Sequence, residues 1–301
     1  MITHLTEIVE AARSKGRKRL AVAYGQDSHT IAAVYDAYKE GLVEPTLYGD
    51  KKVIEQICAE EHIDVEAFRI IDEKNDVKCV AMAVAAVVSG DADVLMKGLV
   101  STDKYMRGIL NKDAGLFPPK GTLSHVAIME MPGYHKLLTI SDVAVIPQPD
   151  FKQKQKLIGY LSKTANLLGI ECPKIACISA SEQVLPAVPS STEAAILAKM
   201  GDRGQLGNVV VDGPLSLDVA LYKEVAEHKK VKGSSVAGDP DCLLFPNIES
   251  ANVFFKSVSH FGQGELAAMV MGTNVPCVLT SRGDSSLTKK YSIALACLAA
   301  K

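Results

Sequence analysis

The stretch VLTSRGDSSLTKKY, residues 278–291, decides the fold. A short apolar run over residues 275–279 ends at Thr280, and a helical spacing of Leu287, Tyr291, Ala294, Leu295 and Leu298 begins a few residues on. A buried strand handed over to a helix through a polar turn is the unit of an α/β protein, and such proteins bind ligands beyond the carboxyl ends of their strands. The turn reads Ser281-Arg282-Gly283-Asp284-Ser285. Arg282 offers a fork of donors matched to phosphate oxygens, Ser281 adds a hydroxyl, and Gly283 lets the backbone turn or approach closely. N–H groups opening the helix favour an anion in the same place. Asp284 is the nearest base. The same residues also carry a structural reading, with Asp284 or Ser285 as the helix N-cap and Arg282 as a solvated charge.

A second turn of this make follows Val94-Leu95-Met96: Lys97-Gly98-Leu99-Val100-Ser101-Thr102, and then a predicted helix over 103–110. Lysine acts as a point charge where arginine is directional, so the two turns suit opposite walls of one anion site. In the structural alternative, Ser101 or Thr102 caps its helix and Lys97 points to solvent. Upstream, residues 19–24 (RLAVAY), 45–48 and 68–71 read as strands. Ser28 caps a helix to about residue 40, Asp50 opens another, and 76–89 is a helix rich in alanine and valine. This alternation predicts a parallel sheet covered by helices. The first strand is followed by GQDSHT, without the G-x-G-x-x-G spacing or a P-loop lysine, which removes the usual sequence case for a nicotinamide cofactor or ATP.

Downstream, a glycine- and proline-rich loop precedes an alternating segment, 123–131, read as a strand, and 141–146 (SDVAVI) reads as another buried strand. A helix over 151–168, a strand over 174–179, a helix over 190–200 capped by Ser190 or Ser191, a strand at 209–211, an apolar run at 242–245 and a helix over 248–258 continue the rhythm. His125 reads as a hydrogen-bonded histidine beside a cleft, because no carboxylate at a motif spacing marks it as a base.

The 301 residues suffice for two ordinary domains. Thirty-three basic and thirty-five acidic side chains leave a net charge of −2, so no basic field points to nucleic acid or a membrane surface. The first residues hold no secretory apolar core and no run is long enough to cross a membrane, so the expected location is the cytoplasm. Seven scattered cysteines read as small, mostly buried thiols, and no ligand spacing suggests zinc; no metal is expected.

MKGLVST at 96–102, GTLSHVAIMEMPG at 121–133, DVAVIPQPD at 142–150, DGPLSLD at 212–218, VAGDPDCLLFPNIESAN at 236–252 and TSRGDS at 280–285 together resemble the phosphate acetyl/butyryltransferase family, in order and across nearly the whole chain. The likeness is nearest to the butyryl branch. It implies two α/β/α domains with a cleft between them, like the isocitrate and isopropylmalate dehydrogenases: residues 1–132 with 270–301, and an inserted 133–269 through which members pair as homodimers or larger homo-oligomers. It implies exchange of phosphate and the coenzyme A thiol at a short acyl group, butyryl favoured, giving acyl phosphate and CoA. Coenzyme A is then a substrate, and no permanently bound cofactor is expected.

The resemblance aligns the family serine and arginine with Ser281 and Arg282. The aspartate proposed as thiol base in the acetyl branch falls at Thr288, so Asp284 becomes the candidate base here. Two acetyl-branch arginines have Leu123 or His125, and His260, as counterparts. Ser281, Arg282 and Asp284 are therefore the candidate catalytic residues, and Lys97, Thr102, Ser124, Arg282 and Thr288 the candidate substrate contacts. Phosphate acetyltransfer with acetyl-CoA, a non-catalytic CoA- or phosphate-binding protein, and a dehydrogenase of the related fold are the alternatives.

Overall fold

Polar caps set the βα rhythm. The computed structural model describes residues 1–281 and 283–301. In chain order come α1 (Leu5–Ser14), β1 (Lys18–Ala23), α2 (Ser28–Lys39), β2 (Val43–Gly49), α3 (Lys51–Glu60), β3 (Arg69–Asp72), α4 (Asp76–Ser89), β4 (Val94–Lys97) and α5 (Thr102–Leu110). Then follow β5 (Ser124–Glu130), β6 (Leu138–Ser141), α6 (Phe151–Leu167), β7 (Lys174–Ile178), α7 (Pro189–Asp202), β8 (Val210–Leu215), α8 (Leu217–Leu221), α9 (Lys223–His228), β9 (Cys242–Leu244), α10 (Ile248–His260), β10 (Glu265–Met271), β11 (Cys277–Val278) and α11 (Ser286–Ala299). Asp27, Asp50, Asn75 and Ser101 each accept a backbone N–H at the start of α2, α3, α4 and α5. Such caps are worth about 1 kcal/mol apiece. Ser28 is thus not the cap of α2: the Asp27 carboxylate, one residue earlier, takes the Thr30 N–H at 2.9 Å.

The chain divides into two compact units. One holds residues 5–121 and 267–301. Its strands β3, β2, β1, β4 and β11 lie side by side in that order, all parallel, and β10 adds antiparallel to β11. Chain direction across the sheet reverses between β1 and β4, so right-handed crossovers put α2 and α3 on one face and α4 on the other. Helix α11 packs on α1 and α2, and residues 291–298 are buried almost throughout. The β10 segment escapes the sequence reading, and its antiparallel pairing makes the sheet mixed.

The other unit holds residues 1–4 and 122–266, with strand order β5, β6, β9, β7, β8. Residues 122–132 group here rather than with the N-terminal segment, since β5 pairs antiparallel with β6. The pairs β6/β9, β9/β7 and β7/β8 are parallel. Helix α6 packs against β5, β6 and β9, and α7 against β7 and β8. Two expectations fail here. Residues 141–146 are not a strand: β6 ends at Ser141, and the Asp142 carboxylate gathers the N–H groups of Ala144, Val145 and Ile146 at 2.8, 2.9 and 3.2 Å into a loop. Neither Ser190 nor Ser191 caps α7. Pro189 is its first residue, and Ser191 Oγ instead donates to the Gln183 carbonyl and accepts the Leu185 N–H. Among the described residues no helix is long and apolar enough to cross a membrane.

Candidate active site

An open parallel sheet leaves a crevice where neighbouring strands send their chains to opposite faces, and in the first unit that point lies beyond the carboxyl ends of β1 and β4. Ala23 is in register with Lys97, and Met96 with Val278, so the turns after β1, β4 and β11 emerge side by side. The first two turns are pressed together. Gly98 N–H donates to the Ala23 carbonyl at 2.9 Å and Leu99 N–H to Tyr24 at 2.8 Å. A Cβ on Gly98 would sit 2.4 Å from the Tyr24 carbonyl oxygen, so only glycine fits. Tyr24 itself holds φ at +58°, a left-handed conformation that a tyrosine adopts only where its surroundings impose it.

Lys97 closes the second turn from inside. It is 4% exposed, and its Nζ donates to the carbonyls of Gly98 and Val100, both at 3.0 Å. The solvent-facing lysine of the structural alternative is not what forms: Lys97 is buried, with two of its donors committed to its own turn. Ser101 is the cap of α5, and Thr102 is exposed as the first residue of that helix.

The third turn, after β11, is built on the same plan. Ser281 N–H donates to Asp284 Oδ2 at 2.7 Å, Asp284 N–H returns to the Ser281 carbonyl at 3.3 Å, and Gly283 N–H reaches Ser281 Oγ at 3.4 Å. Ser281 and Gly283 are exposed and Asp284 half-buried. Arg282, the directional phosphate donor of the sequence reading, lies outside the described residues. Ser285, not Asp284, caps α11, taking the Thr288 N–H at 3.0 Å. Thr288 is buried, and its hydroxyl meets Ser285 Oγ at 3.1 Å, so it supports the cap. The N–H groups of Ser286 and Leu287, in the first turn of α11, have no partner within the helix.

A second lysine, overlooked in the sequence, completes this turn. Lys289 is 3% exposed and donates to the Ser281 carbonyl at 3.0 Å and to the Asp284 carbonyl at 2.8 Å. Burial pushes its ammonium below the ordinary lysine value, while Asp284 and the α2 cap Asp27 pull it back up. A legible signal existed: Lys289 stands one helical turn before Ser292 and Ile293 and two before Ala296, in a helix whose later turns are small and apolar, where a lysine needs a reason.

In the other unit, Ser124 is fully buried. Its Oγ donates to Asp142 Oδ2 at 2.9 Å and lies 3.2 Å from Ser141 Oγ, while His125 N–H donates to the same carboxylate oxygen at 3.2 Å. Asp142, 2% exposed, thereby gathers Ser124, the β5 backbone and its own loop. His125 is buried on β5, and His260 is exposed at the end of α10.

The sequence pattern of the phosphate acetyl/butaryl transferase family matches residues 3–82 and 77–297. The chain is 44% identical over 300 residues to the phosphate butyryltransferase of Clostridium acetobutylicum, covering 100% of this chain and 99% of that one. It is 41% identical over 291 residues to the phosphate acetyltransferase of Thermotoga maritima, covering 97% and 98%. Among solved structures, a branched-chain phosphotransacylase from Enterococcus faecalis V583 superposes with a TM-score of 0.82 at 29% identity, covering 94% of this chain and 100% of that one. With the α/β framework, the glycine-bearing turns at one strand edge and a match that runs almost from end to end, the chain belongs to the phosphate acetyl/butyryl transferase family.

Proposed function

We infer that this chain interconverts a short-chain acyl-CoA and inorganic phosphate with acyl phosphate and CoA, a four-carbon acyl group being favoured. The full-length likeness to both a butyryl and an acetyl enzyme supports the reaction. The observation that carries the site is the convergence of three turns at the edge of β1, β4 and β11, the third presenting Ser281 to solvent with Asp284 fixed against it.

Both substrates meet in a ternary complex. When acyl phosphate is consumed, the CoA thiol gives its proton to the Asp284 carboxylate, because a free thiol, with a pKa of about 8.5, is mostly protonated at neutral pH. The thiolate sulfur attacks the acyl carbon. The tetrahedral oxyanion draws on donors already in place, the Ser281 hydroxyl and the first-turn N–H groups of α11. The Ser281 N–H is not among them, being held by Asp284. The oxyanion then re-forms its carbonyl as the carbon–oxygen bond to phosphate breaks, and phosphate leaves with the electron pair. Arg282 neutralises that charge, and Lys97 adds to the field from beneath its turn. Thr102 contacts substrate directly, whereas the buried Thr288 serves through Ser285. No cysteine of this unit suits an acyl-enzyme: burial pushes the Cys58 thiol up, that of Cys79 up to about 11 and those of Cys277 and Cys297 up to about 12.

The protein works in the cytoplasm as a homodimer that pairs through the 122–266 unit. What supports the pairing is apolar surface there, Val253 at 65% and Phe261 at 86% exposure. The deciding assay is phosphate-dependent CoA release from acetyl-, propionyl-, butyryl- and isobutyryl-CoA. Release that needs phosphate and peaks at four carbons is expected. A peak with acetyl-CoA would keep the reaction and move the chain preference, and no release from any of them would leave a binding protein.

A further inference from the structure

A buried lysine is costly unless something replaces its hydration, and a turn carbonyl on the protein surface ordinarily takes its hydrogen bond from water. Lys289 inverts both habits. Its ammonium is withdrawn into the first unit, and both recorded partners are main-chain oxygens of the turn that carries Ser281, Arg282 and Asp284. The two contacts grip the turn at its ends. A peptide's C=O and N–H point in opposite directions, so an Asp284 carbonyl aimed at Lys289 turns the Ser285 N–H away from it. Lys97 does the same work on the neighbouring turn, where the Val100 carbonyl faces inward and the Ser101 N–H is turned away.

We propose that Lys289 is a positioning residue for phosphate: it clamps the 281–284 turn in its binding shape and supplies a positive charge that phosphate feels through the turn without touching the ammonium. This rests on the acyltransferase reading above. Lys289 makes no bond to substrate and moves no proton. Its cost to stability is the counterpart of its benefit to binding: burial works against the charge, and the two turn carbonyls together with attraction from Asp284 and Asp27 offset that cost in part.

The test compares Lys289→Met, which removes charge and donors at similar length, with Lys289→Arg, which keeps both. Each variant is checked by circular dichroism and thermal melting, then assayed for CoA release from butyryl-CoA over a range of phosphate concentrations. For Lys289→Met the expected rise in KM for phosphate is about tenfold or more, the scale of one charged hydrogen bond. The KM for butyryl-CoA should stay within about twofold, and Lys289→Arg should recover most of the loss. The midpoint of melting should be unchanged or raised in Lys289→Met, and the upward shift that inorganic phosphate confers on the wild-type protein should shrink. A lower midpoint with an unchanged KM for phosphate would overturn the proposal, as would a fall in kcat alone. If the methionine variant does not fold, Lys289→Gln, which retains a donor without the charge, carries the same comparison and the same outcomes. Wild-type protein that shows no phosphate-dependent release overturns the acyltransferase reading, and this proposal with it. Normal wild-type release with a wild-type-like KM in the folded variant overturns the proposal alone.

Discussion

The turns after β4 and β11 share a plan and differ in setting. Each runs strand, glycine, hydroxyl-capped helix, and in each a buried lysine donates to two turn carbonyls. In the first, the lysine precedes the turn and the backbone is pressed against Tyr24 and Gly25. In the second, the lysine follows from α11, and Ser281 and Gly283 face solvent. The difference teaches that one local design is locked as scaffold where main chain packs on it and stays open to solvent where it does not, and the open turn is the one proposed above to react. A lysine beside a glycine is therefore no phosphate ligand by spacing alone.

The largest effect that sharpens this contrast belongs to Arg282→Ala. Loss of a directional phosphate contact should cost roughly 2–4 kcal/mol in kcat/KM, the scale of a lost oxyanion donor, with the melting midpoint unchanged. Near-normal turnover would remove the reactive role from the third turn. Next comes Asp284→Asn. Asparagine still accepts the Ser281 N–H but takes no proton, so kcat for acyl phosphate consumption should fall about 10²-fold, the lower range for general-base catalysis, and the pH–rate profile should change shape. An unchanged profile would sink Asp284 as the base. The smallest effect is on stability. In Gly98→Ala the new Cβ meets the Tyr24 carbonyl oxygen at 2.4 Å, and overpacking of that kind costs about 1–3 kcal/mol. At Gly283 an added Cβ has nothing within 4 Å, so Gly283→Ala should change stability by less than about 0.5 kcal/mol. Equal losses in the two denaturation curves would abolish the distinction between packed and exposed turn.

Much of the framework is legible in sequence because its causes are local. The helix over 76–89 is found with those bounds, and the strand over 123–131 is β5 to within a residue at each end. Residues 141–146 mislead for an equally physical reason: their apolar pattern is that of a strand, yet Asp142 offers the backbone N–H groups a closer partner than any neighbouring strand. Ser281 and Asp284 were legible as a pair, but not that the Ser281 N–H is spent on the carboxylate. Ser124 carried no sign of the buried carboxylate that holds it, since Asp142 becomes its neighbour only when β5 pairs with β6.

By itself the sequence determined the α/β class, the capped helix starts, the glycine turns and the family, since periodicity, capping and short motifs act over a few residues. Only the tertiary structure decided that β1, β4 and β11 end side by side, that Lys97 and Lys289 are buried beneath their turns, and that each unit carries an antiparallel strand pair. Those outcomes depend on contacts between segments far apart in the chain. The free energy that withdraws a lysine from water there comes from the packing around it, and no local pattern records it.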